Sequence, residues 1–158
     1  MIRLTNVSKF YTTQDETIEA LQNVSLTIED GEFVVIIGPS GSGKSTLLHL
    51  IGGLDVPTSG QVEVNGKILN ELKDQAISKY RNQEVGFIFQ DFYLAPHLNI
   101  LENIQMPLAF SQRKNWREEN AQKKAKELLT LLHLQDRLHH KPTQISGGQK
   151  QRVAIARA

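Results

Sequence analysis

Phe33-Val34-Val35-Ile36-Ile37-Gly38-Pro39-Ser40-Gly41-Ser42-Gly43-Lys44-Ser45 is the stretch on which the reading of this chain turns. Residues 33–37 are a continuous apolar run, the pattern of a buried parallel strand. Residues 38–45 fit Gly, four residues, Gly-Lys and a hydroxyl residue, the pattern of a loop that cradles phosphate. Leu47, Leu48, Leu50, Ile51 and Leu54 then form one stripe at helical spacing, so a helix begins there with its N-terminal amides pointing back into the loop. Gly38, Gly41 and Gly43 let the backbone approach phosphate oxygens, and the successive amides make a concave nest of partial positive charge. Lys44 adds a full charge in reach of β- and γ-phosphates, Ser45 offers a hydroxyl to Mg²⁺, and Thr46 offers another to phosphate. A Gly/Ser-rich surface turn is the alternative, and it leaves the strand before and the helix after the loop unexplained.

Working outward, 158 residues favour one domain with a real core. The 18 Lys and Arg against 17 Asp and Glu leave a formal charge of +1, which gives no electrostatic case for a nucleic-acid partner. With zero cysteines there are neither disulfides nor thiolate metal sites, as in cytoplasmic proteins. No apolar run is long enough to cross a bilayer, and Met1-Ile2-Arg3-Leu4-Thr5-Asn6 lacks a signal-peptide core. The expectation is a soluble chain that does not insert into a membrane, any membrane role running through a partner.

On the N-terminal side, Ile2 and Leu4 alternate with polar residues as in a strand, Thr12 to Thr17 is a polar connection, and Val24, Leu26 and Ile28 alternate again. Asp30-Gly31 reads as a hairpin into the run at 33–37, and Asn65-Gly66, after Val62 and Val64, as a second hairpin. Residues 71–83 read as a polar helix and Val85-Gly86-Phe87-Ile88-Phe89 as a second buried strand ending at Gln90-Asp91. Beyond it the chain turns helical. Asn99 and Glu102 resemble a capping box, and Pro107 ends that segment. A helix is expected from about Trp116 to His133, with Ala121, Ala125, Leu128, Leu129 and Leu132 inward and Glu118/Gln122 and Glu119/Lys123 as solvated pairs. Trp116 is read as a packing residue at its start. Pro142 breaks the chain, and a last helix over Gln149–Ala158 carries Val153, Ile155 and Ala156. His139-His140 point different ways beside Lys141 and Pro142, a solvated loop rather than a metal pair.

Ile145-Ser146-Gly147-Gly148-Gln149 opens that last helix, a second place where glycine-exposed amides and a helix dipole can hold phosphate. Together with Gln151, Arg152 and Ile155-Ala156-Arg157-Ala158, it resembles the signature motif of ATP-binding cassette (ABC) ATPases; Ile145 stands where the common form has Leu. The resemblance covers essentially the whole chain. It implies an α/β fold, a P-loop NTPase core of parallel sheet and helices with an antiparallel β edge and an α-helical subdomain. Residues 1–90 would hold the β edge and core, 91–145 the helical subdomain, and 146–158 the signature motif and the start of its helix.

The resemblance also implies roles. Tyr11 lies where the family places an aromatic that stacks on adenine. Gln90 matches the Q-loop glutamine, which helps coordinate Mg²⁺ and the attacking water and reports to the membrane partner. Arg81, Phe92-Tyr93-Leu94, Leu98 and Asn103 look most like the macrolide-export and lipoprotein-release branch. The implied mechanism pairs two cassettes head to tail, so the ATP held by the loop of one faces Ser146, Gly147, Gly148 and Gln149 of the other. Hydrolysis would reopen the dimer, and residues 90–110 would pass the motion to a transmembrane permease subunit on the cytoplasmic side. The family's next elements, an apolar strand ending in Asp with an adjacent Glu and a later switch histidine, are not supplied by any run here. The chain therefore reads as a cassette truncated before its catalytic carboxylate, with apolar sheet edges exposed as a result. Asp91 is no substitute, since Gln90 marks its strand as the Q-loop strand.

Other readings remain open at this stage. The cassette could regulate envelope or division machinery instead of transport, or bind nucleotide without hydrolysing it. A small GTPase is disfavoured for want of an Asn-Lys-x-Asp base-reading motif, and a DNA-repair cassette for want of a long heptad insertion between the two motifs.

Overall fold

A computed structural model describes residues 1–110 and 118–158. They form two compact units, Met1–Arg81 and Asn82–Ala158.

In the first unit, β1 (Ile2–Thr12), β2 (Thr17–Ile28), β3 (Ser59–Val64) and β4 (Lys67–Ile68) make an antiparallel sheet in the order β2-β1-β3-β4. Leu4 faces Leu26 on one side and Val62 on the other, and Val7 faces Val24. Leu4 and Val7 are both buried although three residues apart, which strict alternation forbids. A bulge between them absorbs the extra residue, with Asn6 at φ 50°. Gly60 of β3, at φ 84°, lies so near the Asn6 carbonyl that a Cβ would strike it. Bulge and glycine are therefore one feature. The Asn65-Gly66 hairpin forms as expected, both residues at positive φ and Val64 opposite Lys67.

Two helices complete this unit. In α1 (Lys44–Ile51), Leu47 and Leu50 are buried while Leu48 and Leu54 are exposed, so the apolar stripe is narrower than the sequence suggested. The polar helix is α2 (Asp74–Gln83), after a 3-10 turn at Leu69–Glu71. Buried Tyr80 donates its hydroxyl to the Ile51 carbonyl at 2.8 Å, fixing α2 against the C-terminal end of α1.

The runs at 33–37 and 85–89 depart from expectation. Neither enters a ladder, and Phe33 is 93% and Ile37 86% exposed. Asp30-Gly31 turns the chain, with Gly31 at φ 82°, but no hairpin follows. A parallel strand receives its hydrogen bonds from neighbours reached through long crossovers, and no described strand lies beside these segments.

The second unit packs α3 (Ile100–Ala109), α4 (Glu118–Leu131) and α5 (Gly147–Arg157) around Ile100, Leu101, Ile104, Ala125, Leu129, Leu134, Ile145 and Val153. Each large aliphatic side chain buried there contributes about 1.5–3 kcal/mol. Both arms of the expected capping box at α3 are present: Asn99 Oδ1 accepts from the Glu102 amide at 2.9 Å, and Glu102 Oε2 from the Asn99 amide at 2.7 Å. Pro107 lies inside α3, which runs on to Ala109. Proline removes the amide that would serve the carbonyl four residues earlier, while its own carbonyl, in the last turn of α3, accepts from Asn82 Nδ2 at 2.8 Å and the Phe110 amide at 3.3 Å. Ala121, Ala125 and Leu129 of α4 are buried as expected, whereas Trp116 and the side chains of Glu118 and Glu119 lie outside the described residues. In α5, Ala154 is buried and Ile155 is 44% exposed, reversing the expected face at that turn.

Candidate functional site

The phosphate loop, Gly38 to Thr46, belongs to the first unit. Gly41 and Gly43 sit at φ 80° and 83°, left-handed values open to glycine at little cost. Gly43 is the N-cap of α1 and offers no side-chain acceptor to the first-turn amides. It is also sterically required, because a Cβ there would run into the Ala20 carbonyl and come within 2.8 Å of Leu21 Cδ2. Lys44 folds back over the loop, its Nζ donating to the carbonyls of Gly38 at 3.0 Å and Pro39 at 2.5 Å and to Ser42 Oγ at 3.3 Å. Ser42 in turn donates its amide to the Pro39 carbonyl at 3.3 Å. Ser40 and Ser45 are exposed and Thr46 is half-buried at the start of α1. Uncapped amides, a cation lying over the loop and a free hydroxyl at Ser45 fit a magnesium-bound phosphate chain.

Tyr11 joins this site from β1. Its ring is 38% exposed, and its hydroxyl donates to Asp55 Oδ2 at 2.8 Å. Lys9, two residues back on the same strand, donates to Asp55 Oδ1 at 2.6 Å and to the Val56 carbonyl at 2.7 Å. The Lys9 Nζ lies 4.9 Å from the centroid of the Tyr11 ring. Burial raises the Asp55 carboxyl, but hydrogen bonds from Lys9, Tyr11 and the Val56 amide outweigh it and hold the group below the usual carboxylate range. Burial, then the bond to Asp55, pushes the Tyr11 phenol above its ordinary value, while a bond with the Thr46 side chain opposes them. Lys9 and Asp55 escaped the sequence reading. The period-2 spacing from Tyr11 pointed to Lys9; nothing local pointed to Asp55.

Gln90 and Ser146 to Gln149 lie in the second unit. Gln90 is exposed in a turn. Behind it Phe92 and Tyr93 have φ 59° and 43°, a left-handed pair of bulky residues that persists only where the surroundings over-determine it. Arg157 at the end of α5 supplies that constraint, donating Nη2 to the Phe92 carbonyl and Nη1 to the Tyr93 carbonyl, both at 2.6 Å. The chain after Gln90 is thereby tied to the helix that Ser146 to Gln149 open. That helix starts at Gly147, earlier than expected, with Ser146 as N-cap. Ser146 Oγ accepts from the Gln149 amide at 3.4 Å and Gln149 Oε1 from the Ser146 amide at 2.9 Å. The spacing Ser-x-x-Gln is itself a capping-box signal. Gly147 and Gly148 are exposed, with open space where a Cβ would stand.

Residues 21–158 match the family model for ABC transporters. The chain belongs to the ABC transporter family. It is similar to the ABC transporter ATP-binding protein MJ0796 of Methanocaldococcus jannaschii, 51% identical over 159 residues that cover all of this chain and 68% of that one. The macrolide export ATP-binding/permease protein MacB of Bdellovibrio bacteriovorus is 42% identical over all of this chain and 24% of its own length. A solved structure of the ATP-binding cassette MJ0796, dimeric and bound to ADP and Pi in a post-hydrolysis state, superposes with a TM-score of 0.92 over 99% of this chain and 68% of the other, at 49% identity. The ABC cassette fold expected from the sequence is therefore established, and the chain spans about two thirds of the length of such cassettes. It is the ATP-binding component of the family, as its relatives are. No helix among the described residues is long and apolar enough to cross a membrane, and none of their His, Asp and Glu clusters could by itself hold a metal.

Proposed function

We propose that this chain binds Mg²⁺-ATP through Gly38 to Thr46 and Gln90 and, within its complete cassette, hydrolyses it to drive a membrane partner. The observation that carries the reading is the loop itself, left-handed at Gly41 and Gly43, uncapped at α1 and crossed by the Lys44 ammonium. Lys44 exchanges its carbonyl partners at Gly38 and Pro39 for β- and γ-phosphate oxygens, while the first-turn amides take the remaining phosphate charge. Ser45 and Gln90 would hold the metal, and Tyr11 would offer its ring to adenine. Bound Mg²⁺ would neutralise the charge that develops on the phosphates. Ser146, Gly147, Gly148 and Gln149 of a second copy face the loop in a head-to-tail dimer, and the segment behind Gln90 carries motion to a transmembrane permease on its cytoplasmic side. The dimer of MJ0796 and the fused permease of MacB support the assembly.

The test is equilibrium binding and turnover of Mg²⁺-ATP by the protein and by Lys44→Ala. Lys44→Ala is expected to weaken ATP binding at least tenfold, the loss of a charge-assisted contact of about 1.5–3 kcal/mol. Wild-type affinity in that variant would overturn the loop assignment.

A further inference from the structure

We propose that Asp55, locked by Lys9, is a positioning residue that sets the Tyr11 ring for the nucleotide base. This rests on the reading of Tyr11 as the base platform.

Every oxygen of the Asp55 carboxylate is committed. Oδ1 accepts from Lys9 Nζ at 2.6 Å and the Val56 amide at 2.7 Å, and Oδ2 accepts from the Tyr11 hydroxyl at 2.8 Å. The cluster is sheltered, the Lys9 side chain being 13% and that of Asp55 28% exposed. Asp55 lies four residues past the end of α1, in a turn where the Leu54 amide returns to the His49 carbonyl at 2.8 Å and the Asp55 amide to the same carbonyl at 3.4 Å. The turn that carries the carboxylate is thus hydrogen-bonded back onto the last turn of the helix that begins at Lys44. Lys9 completes the frame by joining β1, the strand that carries Tyr11, to that carboxylate and to the Val56 carbonyl.

A tyrosine at a strand end rotates freely about χ1 unless something holds its far tip. Here the hydroxyl is held by Asp55 and one face of the ring is flanked by the Lys9 ammonium, so the opposite face is the one offered for stacking. Ordering such a side chain on binding weakens affinity by about three- to tenfold. Asp55 removes that cost beforehand and fixes the spacing between base and phosphate sites. Asp55 itself makes no described hydrogen bond to residues 38–46, and the Tyr11 side chain it grips also bonds that of Thr46, so a ligand without a base separates the base platform from any effect on the phosphates.

The experiment measures equilibrium affinities for Mg²⁺-ATP and for Mg²⁺-tripolyphosphate, which has the phosphates and no base. Asp55→Ala is expected to weaken ATP binding about three- to tenfold and leave tripolyphosphate binding unchanged. In a Tyr11→Ala background the same change has no further effect on ATP, and Asp55→Asn, which keeps an acceptor for the phenol, loses less. Tyr11→Phe keeps the ring and the fold while removing the bond, and is expected to weaken ATP binding alone by about twofold or more. Equal losses for both ligands, additive effects in the double variant, or wild-type ATP affinity in Tyr11→Phe each overturn the positioning role. A wild-type protein that binds neither ligand overturns the nucleotide reading itself, and the positioning role with it.

Discussion

Removing the Asn103 side chain is expected to loosen the segment between Gln90 and α3. Asn103 is fully buried, and its amide holds that segment at four points. Oδ1 accepts from the Ala95 amide at 2.7 Å, while Nδ2 reaches the carbonyls of Ala95 at 3.1 Å, Leu98 at 3.2 Å and Asn99 at 2.9 Å. Two amide hydrogens cannot serve three carbonyls fully, so the side chain amounts to about three hydrogen bonds. At about 1 kcal/mol each, Asn103→Leu, which keeps the branched shape but is bulkier, should lose about 3 kcal/mol or more. With a urea m-value of about 1–3 kcal/mol/M, the midpoint of the second unit drops by one molar or more. Asn103→Asp is the sharper test. It keeps the acceptor for the Ala95 amide but turns a carboxylate toward three carbonyls, which burial and repulsion oppose by raising its folded pKa. Its deficit is smallest below the unfolded carboxyl value of about 3.9, where the group is protonated and can donate once, and it grows as pH rises through the folded value. Urea unfolding between pH 3 and 8, with hydrogen exchange at the Ala95 amide, reads both variants. An Asn103→Leu loss under about 0.5 kcal/mol, or an Asn103→Asp deficit independent of pH, would refute this account.

Two further predictions concern the first unit. Gly41→Ala and Gly43→Ala both place a side chain at positive φ, at about 1–2 kcal/mol, but Gly41 opens on free space whereas Gly43 faces the Ala20 carbonyl and Leu21. Gly43→Ala should therefore lower the thermal midpoint more and abolish ATP binding; equal shifts would show that the packing at Ala20 does not matter. For the Lys9–Asp55–Tyr11 cluster, the lowered Asp55 pKa makes its contribution fully present above about pH 3.9 and lost as pH falls through the folded value. The raised Tyr11 pKa makes the phenol's contribution fully present below about pH 10 and lost as pH rises through its folded value. The stability difference between the protein and Asp55→Asn should thus stay constant from pH 5 to 9 and shrink below about pH 4. A difference already falling at pH 6 would mean that another group controls the cluster.

The features legible beforehand are those whose cause lies within a few residues. The phosphate loop is dictated by glycines at 41 and 43, the only residue type that takes φ of 80° and 83° at so little cost. The Asn65-Gly66 hairpin and the Asn99/Glu102 capping box are equally local, each being a side chain or dihedral acting on backbone two or three residues away. α5 starts at Gly147, two residues before the expected Gln149, and that too has a local cause, since Ser146 and Gln149 stand at capping-box spacing.

What only the tertiary structure decided involves partners far apart along the chain. Apolar runs at 33–37 and 85–89 have the composition of buried strands, yet pairing depends on which segment comes to lie beside them, and composition does not encode that neighbour. The same holds for Lys9 meeting Asp55, separated by 46 positions, and for Arg157 meeting the Phe92 and Tyr93 carbonyls. The sequence by itself determined the ABC family and the local conformation of residues 38–45, the loop proposed to hold phosphate. Folding decided which side chains steady the Tyr11 ring and the chain after Gln90, because a hydrogen bond between distant residues exists only once the core has brought them within 3 Å or so of each other.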